Sequence, residues 1–271
     1  MPELPEVETT RRSVASALRG RRFERVVVRE RALRWPVPAR LTARLAGCRV
    51  LSVERRAKYL LMRTDRGAVI LHLGMSGSLR LVDPDVPPRP HDHVDFWFDA
   101  GQCLRLHDPR RFGAVLWTPG DPLEHPLLRE LGPEPLGSDL TPEYLHLRAR
   151  GRRRVLRDFL LDGRVLAGVG NIYANEAAHR AGIHPLRAAG RVALPRYRRL
   201  VTAIRDVLAE AIARGGTTLR DFVDGHGQAG GYGDVLTVYD REGRACRTCG
   251  ELVRRRAHGA RSVFYCSVCQ R

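Results

Sequence analysis

Short apolar runs broken by turn residues fill the first half of the chain, and a longer period replaces them in the second. Residues 23–28, 48–53, 69–73, 94–98, 103–107 and 114–117 form runs rich in β-branched and aromatic side chains, bounded by Gly, Pro or Asp. Such runs predict strands. An early helix is predicted over 7–18, starting after Pro5 with acidic residues in its first turn. Strands with one helix at their edge predict a β-sandwich or barrel. The proline-rich stretch 83–90 is expected to be a loop.

From 142 to 212 the spacing turns helical. Val155, Leu156, Phe159 and Leu160 make an apolar stripe, followed by a turn at Asp162 and Gly163. The turn Gly168-Val169-Gly170-Asn171 leads into a second predicted helix over 172–181, which Asn171 can cap. A longer helix is predicted over 195–214, and the glycine-rich stretch 215–233 is expected to be mobile. The expected organisation is an N-terminal domain over 1–130, a linker over 131–142, a helical domain over 143–235 and a terminal module over 236–271.

Composition narrows the partner. The chain has 271 residues, room for two or three modules, with a net charge of +17 and a pI near 10.9. That excess attracts a polyanion, nucleic acid before others, with salt-dependent binding; a solvated charged surface or a ribosome-associated protein is the bland alternative. Three glutamates in the first ten residues argue against a signal peptide. No run approaches the roughly 18 apolar residues of a membrane helix, so a cytoplasmic protein without membrane contact is expected. Lys58 is the only lysine among 47 basic residues. An ammonium can give up a proton near neutral pH when its pKa falls, whereas a guanidinium effectively cannot.

Four of the six cysteines cluster at the end as Cys246-x2-Cys249 and Cys266-x2-Cys269, separated by 16 residues. This spacing predicts a tetrahedral zinc site with all four positions taken by protein, hence structural. The hairpin between the pairs, with Arg254, Arg255, Arg256, His258 and Arg261, is expected to reach phosphates; a protein-binding ribbon is the alternative. Cys48 and Cys103 are expected in the core. Arg148, Arg150, Arg152, Arg153, Arg154 and Arg157 form a basic run before the glycine turn, whose helix N-terminus can face a phosphate. Loss of Met1 would leave Pro2 with a secondary amine of pKa about 8, against about 10.4 for a lysine side chain. Such an amine attacking a sugar C1′ gives an iminium directly, and Glu3 and Glu6 beside it can move protons.

MPELPEVETTRR at the start, RRAKYLL around Lys58, HLGMSGSLR at 72–80, HDHVD at 91–95, DPRRFG at 108–113, LGPEPL at 131–136, GVGNIYANE at 168–176, AGIHP at 181–185, GGTTLRDF at 215–222 and the terminal YCSVCQ occur in one order from end to end. Together they resemble bacterial formamidopyrimidine-DNA glycosylase. The resemblance implies an α+β multidomain fold: an N-terminal β-sandwich with a flanking helix, a helix–two-turn–helix domain and a zinc-finger β-hairpin. It implies excision of oxidised purines (8-oxoguanine, formamidopyrimidines) from double-stranded DNA, action on abasic sites by β,δ-elimination, a monomer, and one structural Zn2+ on Cys246, Cys249, Cys266 and Cys269.

Residue by residue, Pro2 matches the family's nucleophile and Glu3 its acid. Lys58 matches the hairpin lysine assigned to proton donation and phosphate contact, and Arg261 the finger residue of δ-elimination. His72, His91, Arg110, Arg152 and Asn171 match DNA contacts, although any arginine over 150–154 can take the place given to Arg152. Met75, Arg110 and Phe112 match the side chains that fill the gap left by an everted base; from its residues alone, Phe112 is equally a core aromatic. The glycine-rich 215–233 matches the loop that closes over the base. The endonuclease VIII-like branch, which prefers oxidised pyrimidines, is the near rival, and a non-catalytic zinc-finger DNA-binding or damage-sensing protein the distant one.

Overall fold

The computed structural model describes residues 2–218 and 222–271. The expected loss of Met1, and the part of the expected lid at 219–221, concern residues outside that description. The chain folds as two compact units, one of Met1–Glu130 with Arg214–Gly231, the other of Leu131–Ala213 with Tyr232–Arg271.

The first unit is a sandwich of two four-stranded antiparallel sheets. Its strands are β1 (Phe23–Val28), β2 (Val50–Arg56), β3 (Tyr59–Thr64), β4 (Gly67–His72), β5 (Ser78–Val82), β6 (Asp92–Phe98), β7 (Gln102–His107) and β8 (Ala114–Thr118). One sheet has the order β1-β6-β7-β5 and the other β2-β3-β4-β8. Phe23, Val26, Phe96, Phe98, Leu104 and Leu106 from the first meet Val50, Val53, Leu60, Met62, Leu71 and Val115 from the second in one core. Helices α1 (Leu4–Leu18) and α2 (Leu41–Leu45) add Val7, Val14, Leu18, Leu41 and Leu45 to it.

Two strands and a helix escape the pattern of the sequence. β3 (YLLMRT) is built of Leu and Met rather than β-branched residues, β5 (SLRLV) carries an arginine mid-strand, and α2 spans five residues. Helix α1 begins at Leu4, ahead of the expected residue 7. Glu3 and Glu6 exchange side-chain-to-backbone hydrogen bonds as a capping box, and a proline in the first turn needs no N–H partner.

The second unit holds α3 (Pro142–Ala149), α4 (Leu156–Leu160), α5 (Asn171–Arg180), α6 (Leu194–Ala213) and the hairpin β9 (Arg254–His258) with β10 (Arg261–Tyr265). Tyr197, Leu200, Val201, Ile204, Val207, Leu208 and Ala211 are the buried face of α6, at the spacing of an amphipathic helix. The hairpin has a small cluster of its own, Val238, Cys246, Val253, Phe264 and Cys266. Residues 131–142 are less of a free linker than expected: Leu140 is fully buried, and Gly132 donates to the Gly163 carbonyl at 2.8 Å. The segment Arg214–Gly231, expected with the helical domain, clusters instead with the sandwich. The Gly225 N–H donates to Ser13 Oγ at 2.9 Å, and the Leu81 N–H to the Gly225 carbonyl at 2.8 Å.

Candidate nucleic-acid interface and metal centre

Pro2 is buried and directly precedes Glu3, the N-cap of α1. The Glu6 carboxylate fixes this corner: Oε2 accepts the Glu3 N–H at 2.8 Å, and Oε1 accepts the Thr217 N–H at 2.7 Å. One buried side chain therefore joins the head of the chain to the glycine-rich segment 211 residues later. Lys58 sits in the two-residue turn between the paired residues Arg56 and Tyr59 of β2 and β3. Ala57, the first turn residue, takes φ 54, the left-handed conformation such a turn can require. Arg55 anchors the hairpin to α1, its Nε 3.2 Å from Glu8 Oε2 while its Nη1 donates to the Ala57 carbonyl. Burial alone would raise the Glu8 carboxyl, but Arg11, Arg12 and Arg55 outweigh it and hold the pKa down at about 2.

His72 closes β4 opposite Tyr59, with ring centroids 4.8 Å apart. Burial first, then the charges of Lys58 and Arg34, push its pKa down to about 4. The neutral ring accepts the Gly74 N–H on Nδ1 at 2.9 Å, which leaves its proton on Nε2 as a donor. Gly74, at φ 66, lies so close to the backbone of Phe112 and Gly113 that any Cβ would clash. That approach sets the Met75 turn beside the 108–113 loop. Met75 and Phe112 are 39% and 42% exposed, and the Arg110 guanidinium lies 4.9 Å from the Phe112 ring centroid. Phe112 is thus no core aromatic.

Asp108, fully buried, braces this loop by accepting the Gly113 N–H at 2.7 Å, and its carbonyl accepts from His93 Nε2 at 2.8 Å. His91 is exposed at φ 72, its carbonyl accepting the Asp108 N–H. Cys48 and Cys103 lie inside the sandwich, where burial raises both thiols, that of Cys103 to about 11.

In the second unit, Gly170 is the N-cap of α5, so Asn171 is its first helical residue and does not cap it. Its amide is used otherwise: Nδ2 donates to the Ser262 carbonyl at 3.0 Å, and Oδ1 accepts from Arg157 Nη1 at 3.1 Å. Arg157 is 1% exposed; its Nη2 donates to the His258 carbonyl at 3.1 Å, and its Nε lies 2.9 Å from Asp158 Oδ1. Asp158 Oδ2 also meets His258 Nε2 at 3.1 Å. These contacts grip both ends of the turn Gly259–Ala260, where Gly259 has φ 60 and after which Arg261 stands exposed. Burial, opposed by Asp158, lowers the Arg157 pKa.

Arg254, Arg255 and Arg256 lie on strand β9 rather than in the loop, all exposed. Arg152 is exposed, with its Nε donating to the Arg148 carbonyl at 2.7 Å. Sequence reasoning missed Arg157 as a brace, because within an arginine run it resembles its solvated neighbours.

The four terminal cysteines converge. Their sulfurs lie within 4.8 Å of one another, with Cys246–Cys269 at 3.9 Å and Cys249–Cys266 at 3.4 Å. Four thiol ligands gathered so closely fit a tetrahedral structural metal. Among the described residues, no helix is long and apolar enough to cross a membrane.

Two family models match the chain, the formamidopyrimidine-DNA glycosylase N-terminal domain over residues 1–115 and the formamidopyrimidine-DNA glycosylase H2TH domain over 131–223. The formamidopyrimidine-DNA glycosylase of Methylococcus capsulatus is 56% identical over 271 residues, all of both chains. The MutM (Fpg) protein of Thermus thermophilus is 40% identical, with a TM-score of 0.89 over 99% of this chain and 98% of that one. Lactococcus lactis Fpg, solved in complex with abasic-site DNA, is 30% identical with a TM-score of 0.92 over 99% of each chain.

Proposed function

The chain belongs to the formamidopyrimidine-DNA glycosylase family, and from that premise we propose that it excises oxidised purines from duplex DNA through Pro2 and then cleaves the strand. The observation that carries the proposal is the N-terminal corner: a buried proline, whose nitrogen becomes an amine on loss of Met1, before a capped helix, with Glu3 beside it and Glu6 fixing the Glu3 backbone.

The unprotonated Pro2 nitrogen attacks C1′, the glycosidic bond breaks, and the base leaves with its electron pair and takes up the proton that the attacking nitrogen gives up. Glu3 supplies the proton that opens the sugar ring, giving an iminium between Pro2 and C1′. The iminium withdraws electrons, so a C2′ proton is lost and the 3′ phosphate leaves. Lys58, at its hairpin tip, carries protons in this step and touches phosphate. A further elimination at the 5′ side, with Arg261 on the flanking phosphate, completes the gap.

His72, neutral with its proton on Nε2, suits a phosphate oxygen, as do His91, Arg110 and Arg152; Asn171, with one Nδ2 hydrogen on the Ser262 carbonyl, has its second for the same use. The exposed trio Met75, Arg110 and Phe112 offers an apolar wedge and a planar cation for a vacated base stack. The segment over 215–233 closes on the everted base. Cys246, Cys249, Cys266 and Cys269 would hold one zinc ion, which would supply structure to the finger rather than catalysis. The protein acts as a monomer in the cytoplasm.

Borohydride trapping tests the proposal. The processed protein is expected to give a covalent adduct on abasic and 8-oxoguanine duplexes, and a blocked N-terminus to give none. A processed protein that forms no adduct overturns the catalytic reading and leaves a DNA-binding protein. Preference for thymine glycol over 8-oxoguanine would move it to the pyrimidine branch.

A further inference from the structure

Helix α5 carries three polar side chains at i, i+4 and i+8, the spacing that lines one face of a helix. Asn171 Nδ2 donates to the Ser262 carbonyl at 3.0 Å, and Asn175 Oδ1 accepts the Phe264 N–H at 3.0 Å. The third is His179, 6% exposed in the last turn, whose Nε2 lies 3.5 Å from Cys246 Sγ. Between the last two, the Glu176 carboxylate accepts the N–H groups of Thr237, Val238 and Tyr239 and the Thr237 hydroxyl, all within 2.9 Å, and so fixes the approach to the first cysteine pair. The first two members of the stripe seat strand β10; the third ends on a sulfur.

A metal-bound thiolate has no proton to give, so the imidazole is the only donor in the Cys246–His179 contact. We propose that His179 is a positioning residue of the metal centre, donating its Nε2–H to the Cys246 thiolate and thereby retaining the metal and locking the finger to α5. The inference rests on the zinc reading of the four-cysteine cluster. A hydrogen bond removes electron density from a thiolate, which makes it a poorer target for protons and electrophiles while its ion stays bound; outer partners of metal ligands commonly change metal affinity 10- to 100-fold. A cleft of about 430 Å3 opens beside the cluster, lined by His179, Arg180, Gly182, Thr237, Thr248 and Cys269.

The experiment compares the unmutated protein with His179→Phe, which keeps the bulk and removes the donor, and His179→Gln, whose amide nitrogen reaches near the Nε2 position. Metal content is measured first: a processed protein with no bound metal defeats the zinc reading itself, separately from this inference. With metal present, transfer of zinc to a chromogenic chelator is expected to be about tenfold faster in His179→Phe and within about threefold of the unmutated rate in His179→Gln. In cobalt-substituted proteins, the thiolate-to-metal charge-transfer band is expected to move to longer wavelength in the Phe variant and back in the Gln variant. Equal release rates and bands in all three would overturn the proposal. The unmutated protein loaded with cadmium-113 gives a test that survives misfolding of either variant. A scalar coupling between cadmium and the imidazole Hε2, carried through the N–H···S bond, is expected; an imidazole with its proton on Nδ1 and no such coupling refutes it.

Discussion

Lys58 and Arg261 both stand at two-residue hairpin turns, one in each unit, and their supports differ. The turn carrying Lys58 closes β2–β3 inside a four-stranded sheet, and Val53, Leu60 and Met62 behind it belong to the sandwich core. The turn before Arg261 closes an isolated two-stranded sheet, in which only Val263 and Phe264 are buried apolar residues. A two-stranded hairpin is marginal in water by itself. The second one is held by what the first does not need: four thiols in one cluster, the Arg157 brace and the polar stripe of α5. Burial of apolar surface fixes a hairpin without regard to direction, whereas thiolates and buried hydrogen bonds fix it only while every partner is present.

Removing the metal is therefore the strongest way to separate the two. Chelation, or Cys266→Ser, is expected to weaken duplex binding about 100-fold or more, since folding of such a module is metal binding. Hydrogen exchange should rise over 246–270 and stay unchanged over β2–β3. Global unfolding on chelation would show that the sandwich also depends on the metal.

Lys58→Arg keeps charge and sheet, so it asks what the first tip does. Strand cleavage is expected to fall about 100-fold, the range for a lost general acid–base, with the melting temperature unmoved. Full cleavage by the Lys58→Arg enzyme would confine Lys58 to phosphate contact.

Arg157→Leu removes one of the two donors to Asn171 Oδ1, the Nη2 donor to the His258 carbonyl and the cation beside Asp158. A loss of about 2 kcal/mol in the stability of the second unit is expected in urea. No loss would mean that the brace adds nothing to the thiolate cluster.

The smallest effect concerns the strut of the first hairpin. Glu8 has a folded pKa of about 2, below its ordinary 4.5. A depressed carboxyl contributes stability above its unfolded pKa and loses it as pH falls toward the folded one, so the loss falls between about pH 4.5 and 2. Glu8→Gln should remove about 1 kcal/mol of that acid dependence, the shift being discounted for solvent screening. A denaturation midpoint with the same pH slope in both proteins would assign the acid sensitivity elsewhere.

The sequence carried the supports unevenly. Paired cysteines and Val- or Phe-rich runs are local signals, and the four sulfurs meet and the strands form where those patterns place them; the lone lysine is a local signal of type, not of position. The capping box that starts α1 early was also local, written as Glu3 and Glu6. By contrast, the Glu6–Thr217 bond spans the chain, Arg157 is buried inside a run that looks solvated, and His179 follows two alanines with no metal-binding spacing of its own. Those contacts exist only once helices and strands are packed. The same holds for Arg214–Gly231, whose glycines say that the backbone turns freely but not which unit receives it.

The stripe on α5 has a consequence for insertions. Four helical residues rise about 6 Å and two strand residues about 6.7 Å. Asn171 to Asn175 on the helix and Ser262 to Phe264 on the strand are therefore nearly commensurate, like two gear racks of matching pitch. One added residue between Asn171 and His179 would rotate everything beyond it by about 100°. The length of α5 is consequently a gauge for the finger: substitutions along it disturb one tooth at a time, but a shift of phase disengages them together.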